Sequence, residues 1–237
     1  MLNFVNARMR AVDQFWVPVL LIVSFFAVPI STTAKSIFLV IAVVLVLISP
    51  VFRPSLKSLL SQSWCKAVLF FFLIIACGCI WSPASLKEKF LVLEKFSKLL
   101  YLPILVVGFK DERIRRYALQ AFLLAMGITC LVSLGKFLGW ISFHGMDPGQ
   151  VFRNHIMTGY MMAFAAYLSA LMMTRNHGKM RILYGLGLAL FSYQVLFINT
   201  GRTGYIIYIL LMMLLALQVL SLKNILIAAI VGGSTLL

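Results

Sequence analysis

Two arginines stand out for what surrounds them. Arg153 lies in the run S-F-H-G-M-D-P-G-Q-V-F-R-N (Ser142–Asn154), directly before an apolar stretch that opens at His155. Arg202 lies in N-T-G-R-T-G-Y, between Gly201 and Gly204, and opens another apolar stretch. A guanidinium is a planar fork that matches phosphate oxygens two at a time. A helix N-terminus adds unpaired N–H groups that favour anions, and glycines let backbone approach a ligand closely. Two such arginines over two helix starts suit a phosphate or a pyrophosphate, and a pyrophosphate-linked lipid is one ligand that lives at membrane depth. The plainer reading of each is an interfacial anchor, since an arginine at a span end snorkels to the headgroups at modest cost.

Other groups gather near these two. His155 offers a base, an acceptor-side contact or an interfacial polar group. Tyr205 and Tyr208 follow Arg202 on one helix face, and Tyr160 and Tyr167 lie seven apart on one face of the stretch after Arg153. Rings at this depth are belt residues or platforms on which sugars stack. The candidate binding set is Arg153, Arg202, His155 and Tyr205. Asp147 is the one acid between Ser142 and Asn154, and Lys136 either snorkels or adds charge to the same mouth. His144 and His177 receive no role. Gly159, Ala163, Ala166 and Ala170 form a small-residue stripe that lets a neighbouring helix pack closely.

Little else offers chemistry. Cys77 and Cys79 point to different sides of a helix, and Cys65 and Cys130 have no histidine at zinc spacing. The four cysteines read as buried small hydrophobes. There is no HExxH, GxSxG, Walker or CxxC pattern to suggest a metalloprotease, hydrolase or ATPase. Neither a metal nor a cofactor is expected.

The elements that must position these residues follow from composition. The 237 residues are 62% hydrophobic and 11% charged, with mean hydropathy +1.03. Soluble domains are about 45–50% apolar and about 25% charged. The class is therefore all-α, a polytopic transmembrane helix bundle forming one integral-membrane domain over 1–237, rather than a water-soluble enzyme or a nucleic-acid binder. The net charge of +15 points to anionic headgroups of membrane lipids and to basic cytoplasmic loops, with no nucleic-acid partner.

A span needs about 20 apolar residues. The sequence predicts spans over Trp16–Thr33, Ser36–Phe52, Lys66–Trp81, Leu99–Phe109, Tyr117–Trp140, His155–Met173, Ile182–Ile198 and Gly204–Leu220, with a ninth opening at Ile225. That makes eight to nine spans. The first resembles a secretion signal, with Arg8 and Arg10 before an apolar run and small residues at Ser31–Ala34, but further runs follow and an uncleaved span is expected. Residues 86–98 carry apolar positions at helical spacing among four lysines, which predicts an interfacial amphipathic helix. With the N-terminus in the cytoplasm, thirteen basic residues fall on the cytoplasmic side and seven on the other, as the positive-inside bias requires. Losing the fourth span would invert everything after it. The thirteen residues from Ile225 to Leu237 cover roughly 20 Å, short of a crossing, so the last span reads as incomplete.

The segments V-F-R-N-H-I-M-T-G-Y-M-M-A-F-A-A-Y-L (Val151–Leu168) and F-I-N-T-G-R-T-G-Y-I (Phe197–Ile206) resemble the O-antigen ligase and O-antigen polymerase family of inner-membrane glycosyltransferases. The family shows an arginine before one helix and a G-R-T-G-like turn about 50 residues later; here the separation is 49 residues. The W-S-P at Trp81–Pro83, followed by a basic amphipathic segment, is similar too. The resemblance implies a bacterial inner-membrane protein that moves polysaccharide from undecaprenyl pyrophosphate to the lipid A–core acceptor on the periplasmic face. Arg153 and Arg202 would hold the pyrophosphate, where charge grows as it leaves. A polymerase would instead join repeat units from the same carrier. In the family the acceptor is activated by a histidine in a large periplasmic loop after the ninth span. That loop and the final helices lie past Leu237, so the 237-residue form is expected to be inactive alone; restored O-antigen in a ligase-null strain would refute that. A transporter and a structural membrane subunit are the competing classes. Transport has little support, since no inverted repeat is evident.

Overall fold

The computed structural model describes residues 2–141 and 147–219. Among them every regular element is helical: α1 (Leu2–Ile30), α2 (Thr32–Ile48), α3 (Arg53–Leu60), α4 (Ser63–Trp81), α5 (Leu86–Gly108), α6 (Glu112–Phe137), α7 (His155–Arg175), α8 (Gly178–Tyr193) and α9 (Arg202–Val219). A π-helical turn, Gln194–Ile198, extends α8. The expected ninth span, Lys223 and His144 lie outside the described residues.

The expected count of eight to nine spans is not met. Five described helices are long and apolar enough to cross a membrane: α4, α6, α7, α8 with its π turn, and α9. A sixth crossing arises only if α2 and α3 count as one span bent by 96°. The reasons are local. The apolar part of α1, Phe15–Ile30, has sixteen residues and reaches about 24 Å, against a core about 30 Å thick. After α2 the chain turns at Ser49–Phe52, where Ser49 Oγ accepts from the Val51 N–H at 3.3 Å, and Pro54 lies in the first turn of α3, the helix position that tolerates proline. The expected fourth span is the C-terminal half of α5. That helix runs unbroken through the interfacial segment and past Pro103, and charged residues, Glu94, Lys95 and Lys98 among them, remove it from the set of spans.

Caps set several boundaries. Ser85 and Glu88 form a capping box at the start of α5: Ser85 Oγ accepts from the Glu88 N–H at 3.4 Å, and the Glu88 carboxylate accepts from the Ser85 N–H at 2.9 Å. These contacts hold the Glu88 carboxyl below its ordinary range. Asn154 caps α7, its Oδ1 accepting from the Met157 N–H at 2.8 Å.

The chain divides into two compact units. Unit 1 holds Met1–Phe25 and Thr33–Leu119, and unit 2 holds Phe26–Thr32 and Gln120–Leu237. Unit 1 has a core of Val17 and Leu21 from α1, Ala42 and Val46 from α2, Leu59 from α3 and Val107 from α5. Gly108 lets α5 approach α1, because a Cβ there would lie 2.7 Å from Leu21 Cδ1. Phe25 and Phe109 meet edge to face at 5.2 Å.

Unit 2 is built around α7. Its small-residue stripe is buried, with Ala163, Ala166 and Ala170 all below 3% exposed, as expected of residues that bring helix backbones together. Gly159 meets the Gly204 backbone of α9, and Tyr167 Oη donates to Gln218 Oε1 at 2.9 Å. On the α8 side Ser169 packs against Gly187. Helix α6 joins through Phe122, edge to face with Phe164, and through Cys130, which donates to the Leu190 carbonyl at 3.7 Å. Large aliphatic side chains such as Leu186 and Ile209 point outward and are exposed. Water would penalise so much exposed apolar surface, and hydrocarbon does not.

Candidate functional site

The candidate site lies wholly in unit 2, where three segments converge: the loop 147–154, the first turns of α7, and the turn 199–204 that opens α9. Asn199 is at the centre and 1% exposed. Four glycines surround its amide. A Cβ at Gly159 would overlap Asn199 Nδ2, one at Gly204 would come within 2.9 Å of it, and one at Gly149 would lie 2.9 Å from Oδ1. A Cβ at Gly201 would lie 3.4 Å from Nδ2 and equally close to His155 Cδ2. Only glycine leaves room for this amide between the α7 and α9 backbones. Both polar atoms of the Asn199 amide are buried without a hydrogen-bond partner, a costly state for a buried amide.

The π turn places Asn199. Its N–H donates to the Gln194 carbonyl at 2.9 Å, a bond across five residues. The wider helical winding carries Gln194 and Asn199 to the interior together. Such turns recur at functional positions. Gln194 is fully buried; its Nε2 donates to Ser133 Oγ at 3.4 Å, and its Oε1 has no partner. Ser133 donates to the Pro148 carbonyl at 2.7 Å. Tyr205 closes the turn from outside, its hydroxyl donating to the Asn199 carbonyl at 3.1 Å and the Leu196 carbonyl at 3.3 Å.

The loop before α7 is held as firmly. Lys136 does not snorkel outward. It is 8% exposed, and its Nζ donates to the carbonyls of Asp147 at 2.9 Å and Gln150 at 2.8 Å. Asp147 Oδ1 accepts from the Gly149 N–H at 2.8 Å. Its other oxygen, Oδ2, lies 3.8 Å from His155 Nδ1, an ion-pair distance when the imidazole is charged. Both side chains are about one-third to two-fifths exposed, so the pair is open to a ligand.

The two arginines differ. Arg153 is half-buried, its Nη2 donating to the Val28 carbonyl near the end of α1 at 2.9 Å, while Nε is buried without a partner. Desolvation holds this guanidinium below the ordinary arginine value, with Tyr160 acting the other way. Arg202 is exposed at the start of α9, with no hydrogen bond or ion pair among the described residues. The structure brings the Arg202 turn against His155 through Gly201, and it directs one Arg153 nitrogen into a tether. Among the described residues no three of His, Cys, Asp and Glu gather to hold a metal.

Asn199, Gln194, Ser133 and the buried part of Lys136 escaped the sequence reading. One signal is present in the sequence: Asn199 begins the same N-T-G-R-T-G-Y run that contains Arg202. No protein-family model, curated protein or solved structure matches the chain.

Proposed function

We propose that this chain is a membrane glycosyltransferase of the O-antigen ligase type, taking polysaccharide from undecaprenyl pyrophosphate to the lipid A–core acceptor. The observation that carries this reading is the packing of the Gly201–Arg202 turn against His155, which gathers an unpaired cation, two helix N-termini and an imidazole at one end of unit 2. The resemblance at Val151–Leu168 and Phe197–Ile206 supplies the donor class.

Orientation within unit 2 has local support that does not depend on counting spans in unit 1. The ends of α7 and α8 that meet carry three exposed cations, Arg175, Lys179 and Arg181, whereas at the opposite end Arg202 is exposed, Arg153 half-buried and Lys136 buried. The positive-inside bias puts the three-cation end in the cytoplasm. Arg153 and Arg202 then face the periplasm of a bacterial inner membrane.

In the reaction the acceptor hydroxyl attacks the anomeric carbon of the donor sugar, and the bond to the pyrophosphate oxygen breaks. Negative charge grows on the departing pyrophosphate. Arg202 is free to pair with it, aided by the N–H groups opening α9. Arg153 adds positive charge while the bond of its Nη2 to the Val28 carbonyl fixes its position. Neutral His155 takes the hydroxyl proton or orients the acceptor, and the imidazolium so formed lies at ion-pair distance from Asp147. The Tyr205 ring is left as a face for sugar, its hydroxyl being engaged in the turn. A polymerase would use the same donor half with a carrier-linked repeat as acceptor.

The test is equilibrium binding of undecaprenyl pyrophosphate, with undecaprenol as the phosphate-free control, to the protein in lipid nanodiscs. The pyrophosphate lipid is expected to bind at least about tenfold more tightly, and Arg202→Ala to remove most of that margin, since charged hydrogen bonds contribute roughly 1.5–3 kcal/mol. Equal binding of the two lipids, or no effect of Arg202→Ala, refutes the reading.

A further inference from the structure

We propose that the trough between α6 and α8 seats one anionic phospholipid, with an acyl chain along the trough and the headgroup at the basic α7–α8 connection. This site lies apart from the arginine turn, and the inference does not depend on the donor reading.

The trough has a volume of about 400 Å³, within the roughly 300–1,000 Å³ of small-molecule sites. Two glycines create it. Gly127 on α6 and Gly187 on α8 both line it, so neither helix fills the space with a side chain. A Cβ at Gly127 would meet no atom within 4 Å, whereas one at Gly187 would lie 3.3 Å from Ser169 Oγ. The floor is thus closed by α7, and the space over Gly127 is open. Along α6 the lining runs from Gln120 to Leu131, and along α8 from Met180 to Phe191. Each stretch rises about 16 Å, half the thickness of a bilayer core. The walls are almost wholly apolar, and both helices are long and apolar enough to span a membrane. A lipid chain, not water, is the medium that meets such a wall.

Charge selects among lipids. Met180 marks one end of the trough, and Lys179 and Arg181 flank it in sequence, with Arg175 ending α7 on the other side of the short connection. All three cations are exposed. None is in an ion pair among the described residues. The sole acid in the sequence of unit 2, Asp147, lies ahead of α7, at its opposite end. Juxtamembrane cations of this kind attract anionic headgroups. An anionic phospholipid answers both halves of the site; a zwitterionic one answers only the trough.

The full chain, purified in detergent, is titrated with phosphatidylglycerol or phosphatidylcholine bearing the same acyl chains, and bound lipid is counted by native mass spectrometry. Phosphatidylglycerol is expected to be retained at roughly tenfold lower concentration or better. The combined change Arg175→Gln, Lys179→Gln and Arg181→Gln should bring it to the phosphatidylcholine level. Gly127→Phe, which fills the open space, should weaken retention of both lipids about tenfold. If that variant does not fold, Gly127→Leu makes the same test with less volume. Equal retention of the two lipids by the unaltered protein overturns the proposal. So does undiminished retention in a folded Gly127 variant, the result expected if the trough is instead covered by a partner protein.

Discussion

Helices α4 and α7 are both apolar and both long enough to span a membrane, yet they are used oppositely. In its 18-residue apolar window α7 is 61% buried, while α4 is 6% buried. The difference lies in side-chain size and polarity. Helix α4 reads V-L-F-F-F-L-I-I through its middle, and Phe70, Leu73 and Ile74 stand exposed. Helix α7 reads G-Y-M-M-A-F-A-A-Y-L-S-A, with alanine, glycine and serine where neighbours approach. In hydrocarbon, lipid tails are as apolar as leucine, so bulk hydrophobicity brings no helices together; close backbone approach and interhelical polar contacts do. Hydropathy therefore identifies the spans, and small residues identify the helix at the centre.

The largest expected contrast is between two glycines. A side chain at Gly159 collides with the Asn199 amide and the Gly204 backbone, while one at Gly78 of α4 meets nothing within 4 Å. Gly159→Leu should destabilise unit 2 by about 3 kcal/mol or more, since overpacking a filled core costs about 1–3 kcal/mol and backbone cannot yield as a side chain does. Gly78→Leu should stay within about 0.5 kcal/mol. Reversible unfolding in mixed micelles measures both, and equal losses would break the comparison.

Arg153→Ala comes next. It removes the bond to the Val28 carbonyl, and about 1.5 kcal/mol is expected for a charged hydrogen bond at a half-buried site. Hydrogen exchange at the end of α1 should rise with it. Arg202→Ala, which removes an exposed side chain with no hydrogen bond or ion pair among the described residues, should leave stability unchanged. Arg202 is thus the cleaner probe of ligand binding.

The smallest effect belongs to unit 1. The Glu88 carboxyl is held below its ordinary value by Ser85, so its support of the α5 capping box is present at neutral pH and is lost as pH falls through the folded pKa. Amide exchange in the first turn of α5 should quicken on acidification relative to α7, which has no carboxylate cap; Glu88→Gln should abolish that pH response.

Much of the fold was legible because helix starts carry their own signals. The boundaries at His155 and Arg202 agree with the sequence reading, and the stripe from Gly159 to Ala170 is buried as its spacing implies. The span count failed where crossing depends on length and direction together. Nothing in the hydropathy of Ser36–Phe52 shows that the chain bends by 96° after Ile48, and the apolar half of α5 is continuous with a charged half. The arginine turn was legible as a motif, but its support was not. By its place near a span end Lys136 is expected to reach for headgroups, yet carbonyls brought by the loop 147–150 hold it. Asn199 and Gln194 become a pair only through the π turn, which no residue spacing announces. From sequence, the glycines near Arg202 make room for a ligand; in the structure three of the four around the site make room first for Asn199.

The most direct measurement of the central claim is photo-crosslinking with a diazirine analogue of undecaprenyl pyrophosphate that carries its reactive group beside the phosphates, followed by peptide mapping. Labelling is expected in the peptides containing residues 150–160 and 199–205, reduced together by Arg202→Ala and competed by unmodified carrier. Labelling confined to unit 1, or labelling of those peptides that neither the substitution nor the competitor reduces, would contradict a donor site at the arginine turn.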